Sequence, residues 1–128
     1  MIKGGTTTVY VSDMDRAVEF YTQVLGLKLT FRAGNHWAGI DAGNGMQLGL
    51  HPASDQGPRP GANGATIIGF AVTQPLDDVV ASLHQKGVQL TRPIIDDADG
   101  KLRLAYFRDP DGNDLYLCES TWSSATQT

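Results

Sequence analysis

Residues 11–29 read VSDMDRAVEFYTQVLGLKL, a stretch that enters, carries and stops one helix. Asp13 is placed to accept hydrogen bonds from the free N–H groups of the first turn. Met14, Ala17, Val18, Tyr21, Val24 and Leu25 recur at helical spacing, and Gly26 stands where a left-handed C-terminal residue is expected. The stripe those residues form needs an apolar surface to cover it, and the flanking segments supply one. Upstream, TTTVYV at residues 6–11 alternates as a strand does, and downstream Leu27–Arg32, His36–Ile40 and Met46–His51 are strand-like runs separated by AGN and AGNG. The order is βαβββ.

The same order returns after PASDQGPRPGANGA at residues 52–65, whose three prolines and three glycines read as an exposed connection. A strand at Thr66–Val72 precedes a helix at Pro75–Lys86 with Leu76, Val79, Val80 and Leu83 on one side and Gly87 as its stop. Strands are expected at Val88–Ile95, Leu102–Arg108 and Asp114–Cys118. Val11 and Val72, Val18 and Val79, Gly26 and Gly87, and Leu29 and Leu90 all lie at one constant offset, so the chain reads as an internal repeat. The organisation is one α+β domain of 1–128: module one at 4–51, a linker at 52–65, module two at 66–119 and a tail at 120–128. Two βαβββ modules in tandem would form a curved mixed sheet around a cavity, with the helices outside.

At 128 residues, with 41% hydrophobic content, the chain can bury a core. Fourteen acidic against ten basic residues give a net charge of -4 with no Lys/Arg run, which argues against nucleic acid or an anionic membrane as a partner. No stretch resembles a secretory signal or a membrane span, and the single cysteine, Cys118, excludes an internal disulfide. A cytoplasmic protein is expected.

Strand alternation sorts the faces. Thr7, Val9 and Val11 should lie under the first helix and Thr6, Thr8 and Tyr10 on the other side, with Gln47, Gly49 and His51 opposing Met46, Leu48 and Leu50. In the second module Ile68, Phe70 and Val72 should lie under the helix, leaving Ile67, Gly69 and Ala71 opposite. Leu115 and Leu117 point one way and Tyr116 and Cys118 the other, while periodicity leaves the seventh strand open. If Tyr106, and with it Leu104, joins the face away from the helix, that surface gathers Tyr10, Tyr106, Tyr116, His51, Cys118 and Ile67, a mostly apolar wall with polar tips.

The helix entry VSDMDRAVEFYTQVLGLKL, the terminal FRDPDGNDLYLCE and the doubled βαβββ together resemble the vicinal oxygen chelate superfamily of glyoxalases, bleomycin- and fosfomycin-resistance proteins and extradiol dioxygenases, over about residues 4–119. The resemblance implies a small-molecule cavity and a homodimer. It also implies that metal-using members place ligands at the positions of Thr6, Gly49, Ile67 and Tyr116. None of these four is a carboxylate or an imidazole, so no metal and no other cofactor is expected.

The acidic run RDPDGND does not replace that site. Counted as a calcium loop from Asp109, it has Asp114 where glycine is required and Ser120 where the bidentate glutamate is required. It reads as a type I turn with Pro110 at the second corner and Gly112 at positive φ. Asp96, Asp97 and Asp99 read as a solvated turn. A displaced pair, His51 and Cys118, offers too few ligands, His36 reads as a strand histidine and His84 as a helix-surface residue.

The reading is a metal-free protein of the glyoxalase/bleomycin-resistance type that binds an apolar or aromatic organic ligand. Tyr10, Trp37, Tyr106 and Tyr116 would give stacking area, Thr6, Gln47 and His51 would orient polar groups, and Gly49, Ile67, Leu104 and Cys118 would line the wall. No catalytic residue is assigned. The alternative is a lyase, isomerase or dioxygenase with a displaced metal site or with His51 as general base. Trp122, in the polar tail, is expected either to cap a hydrophobic rim or to be disordered.

Overall fold

The computed structural model describes Met1 and residues 4–64 and 66–120; the tail with Trp122 lies outside the described residues. Among the described residues, eight strands and two α-helices follow in the order β1 (Thr7–Val11), α1 (Met14–Glu19), β2 (Lys28–Ala33), β3 (Trp37–Gly43), β4 (Met46–Pro52), β5 (Ile68–Ala71), α2 (Leu76–Gln85), β6 (Ile95–Asp96), β7 (Leu102–Arg108) and β8 (Asp114–Ser120). Hydrogen bonding divides the strands into two four-stranded mixed sheets, ordered β1-β4-β3-β2 and β5-β8-β7-β6. In each, the first strand of the module pairs parallel with the last. The fold is α+β, two βαβββ modules in tandem.

The described residues form two compact units, one within residues 4–64 with 109–113 and the other within residues 66–108 with 114–120. In the first unit, Val9, Val11, Ala38, Ile40, Leu48 and Leu50 are buried together with Met14, Ala17, Phe20 and Tyr21 from the helix. Each such aliphatic side chain contributes about 1.5–3 kcal/mol when fully buried. In the second, Leu76 and Leu83 of α2 are buried with Ala105, Phe107, Leu115 and Leu117. Alternation along β7 therefore puts Ala105 and Phe107 into the core and leaves Leu104 and Tyr106 on the other face.

The helix caps follow from local chemistry. Asp13 accepts from the Arg16 N–H at 3.0 Å, and Gly26 takes φ +76°. The segment after α1 differs from the expected regular helix: Phe20–Val24 is π-helical, with the Leu25 N–H bonded to the Phe20 carbonyl. Thr22 Oγ1 donates to the Val18 carbonyl at 2.6 Å, a side-chain bond that competes with the regular ladder. At α2 the cap comes from far along the chain, Glu119 Oε2 accepting from the Leu76 N–H at 2.8 Å.

The expected strand at Val88–Ile95 is reduced to Ile95–Asp96. Val88 is tied to the end of α2 through the Leu83 carbonyl, and Pro93 has no N–H for a ladder. Asp96 thus lies in a strand, bonded to Arg103 Nε at 2.6 Å, whereas Asp97 does form the turn, its Oδ1 accepting from the Lys101 N–H at 2.8 Å.

Candidate functional site

The RDPDGND stretch is a turn, but not a solvated one. The Gly112 N–H bonds to the Asp109 carbonyl at 3.0 Å, and Gly112 has φ +88°. Asp109 is 5% exposed and its oxygens accept from Tyr21 Oη, Asn113 Nδ2 and the N–H groups of Asp111 and Asn113. Asp111 accepts from the Ser12 N–H at 3.1 Å and from the Ser12 hydroxyl. Asn113 reaches the Tyr10 carbonyl at 3.2 Å and accepts from the Gly61 N–H at 3.0 Å. These carboxylates are already engaged as hydrogen-bond acceptors within the first unit. Burial and the neighbouring Asp109 push the Tyr21 phenol far up, so it remains a donor.

On the face of the first sheet opposite the buried Val9, Ile40 and Leu50, β1, β3 and β4 bring together Tyr10, Trp37 and His51. The Tyr10 and His51 rings are 5.1 Å apart at 51°, and Trp37 meets His51 edge-on at 6.3 Å. Tyr10 and His51 are register partners. Trp37 lies over Gly49: a Cβ on that glycine would come within 2.0 Å of the indole. Tyr10 is also approached by Gly57, whose Cβ would be 3.0 Å from its ring. All three rings are half-buried, as is Gln47, while Thr6 precedes β1 and is exposed.

The second sheet carries its own aromatic group. Tyr106 and Tyr116 are register partners with ring centroids 5.5 Å apart, and Tyr116 lies across Gly69, whose Cβ would be 2.1 Å from the phenol. Leu104 pairs with Cys118 two residues along the same strands, on the same face. Burial pushes the Cys118 thiol up. Ile67 precedes β5 and is 40% exposed. Arg92, which the sequence reading passed over, sits with its guanidinium 4.2 Å from the Tyr106 ring centre. Thr91 places it there by bonding the Tyr106 carbonyl at 2.8 Å, a long-range contact with no sequence signal.

Thr6, Gly49, Ile67 and Tyr116, the positions where the resemblance implies ligands in metal-using members, carry a hydroxyl, a glycine, an aliphatic group and a phenol. The glycine is covered by an indole. Among the described residues no group of three or more His, Cys, Asp or Glu side chains is placed to hold a metal ion. This donor set does not fit the metal the fold suggests. His84 is exposed on α2 as expected, whereas His36, expected in a strand, lies exposed in the turn before β3. No described helix is long and apolar enough to cross a membrane.

A family model described as Glyoxalase/Bleomycin resistance protein/Dioxygenase superfamily matches residues 5–117. The chain belongs to that superfamily. Metallothiol transferase FosB of Lysinibacillus sphaericus is 33% identical over 106 residues, covering 80% of this chain and 72% of the relative. Among solved structures, the antibiotic-binding protein TnmS3 from Streptomyces sp. CB03234 is similar at 27% identity and a TM-score of 0.74, covering 94% of this chain and 98% of that one. A superfamily member from Sphaerobacter thermophilus covers the same shares at 26% identity and a TM-score of 0.76.

Proposed function

We propose that this superfamily member binds an apolar or aromatic organic molecule and holds it without a metal. The observation that carries the reading is the pairing of ring and glycine in each sheet, Trp37 over Gly49 and Tyr116 over Gly69. Rings there supply flat apolar area and displace the groups that would chelate an ion. Thr6, Gln47, Ile67, Leu104, Tyr106 and Cys118 belong to the same proposal as flanking contacts. The likeness to an antibiotic-binding protein supports sequestration as the mode of action. A homodimer and a cytoplasmic setting complete it.

The test is fluorescence and thermal-shift titration with planar aromatic compounds in the presence of a chelator. Saturable binding is expected, weakened in Trp37→Ala and Tyr116→Ala. No response from any such compound would overturn the reading. A second reading, an enzyme with a displaced metal or with His51 as base, draws on the identity to a metallothiol transferase.

A further inference from the structure

We infer that His51 is a hydrogen-bond acceptor for the ligand, and that the molecule bound on the first sheet is a planar aromatic donor, a phenol or a ring N–H compound. The inference rests on the aromatic-ligand reading above and adds the polar specificity that reading lacks.

His51 Nδ1 lies 2.8 Å from the Pro52 carbonyl oxygen. A carbonyl can only accept, so the hydrogen of that bond sits on Nδ1. The neutral imidazole has one hydrogen, which leaves the lone pair on Nε2. No described residue donates to Nε2. The ring is half-buried between Tyr10 and Trp37, 5.1 and 6.3 Å away. An acceptor held in a fixed orientation between two aromatic rings rewards a flat molecule that carries its own O–H or N–H at one edge. A flat molecule without one leaves the Nε2 lone pair without a partner, which costs affinity.

The probes are 1-naphthol and 1-methoxynaphthalene, which share a ring system and differ in the hydrogen. The wild-type chain at pH 8 is expected to bind the naphthol about tenfold more tightly, the worth of one net hydrogen bond. His51→Phe should bring the two affinities together by weakening the naphthol about tenfold relative to the ether. Nitrogen-15 spectra of the imidazole read the same point without a variant: hydrogen on Nδ1 in the free chain, and a shift at Nε2 on adding the naphthol alone. Equal binding of the two probes by wild type, or hydrogen on Nε2, overturns this inference and leaves the aromatic-ligand reading standing. Failure of both probes to bind also overturns this inference, and the aromatic-ligand reading falls with it when no other planar aromatic compound binds either.

Discussion

The Tyr21 phenol donates to Asp109 Oδ2 at 2.8 Å, joining two buried residues 88 positions apart. The bond gives a carboxylate that looks ionic in sequence a structural purpose. Tyr21→Phe removes one donor but leaves Asp109 with Asn113 and two backbone N–H groups. A loss of about 1.5–3 kcal/mol in urea unfolding is expected, the range for a hydrogen bond to a charged group.

The same pair sets an alkaline limit. The folded-state phenol is pushed above its ordinary value, by burial first and by Asp109 second. Its stabilising contribution is therefore complete below the unfolded value of about 10 and is lost as pH rises beyond it. Unfolding of wild type followed from pH 8 to 11 should steepen near the top of that range, and Tyr21→Phe should lack the steepening.

Gly49 and Gly69 are spaces occupied by rings. Alanine at either needs a ring to move, since a Cβ would stand 2.0 Å from Trp37 or 2.1 Å from Tyr116. Gly49→Ala should cost about 1–3 kcal/mol by overpacking. The cost should fall in a Trp37→Ala background, a coupling that a double-mutant cycle measures.

Much of this was legible beforehand. Helix stops at Gly26 and Gly87 and the turn at Asp109–Gly112 rest on local backbone chemistry, which sequence carries. The split of β7, open to periodicity because both its faces are apolar, needed the pairing of Tyr106 with Tyr116. The short β6, the cap from Glu119 and the stacking of Arg92 were not legible, because each depends on a contact between distant segments. The acidic turn shows the same limit: its type was readable, its burial against Tyr21 was not.

Cys118 offers a check on the second sheet. Its thiol is pushed up by burial, so little thiolate is present near neutral pH. Iodoacetamide should modify the native chain at pH 7.5 several-fold more slowly than the denatured chain. Equal rates would place the thiol in water.

The central claim is that aromatic rings stand where an ion would be held. Calorimetric titration of chelator-stripped protein with Mn, Fe, Ni and Zn salts tests it most directly. The account predicts no saturable heat at one ion per chain, and the same null result for Tyr116→Glu, because a single restored carboxylate has no partner ligands. Tight one-to-one binding of any of these ions by the wild-type chain would contradict it.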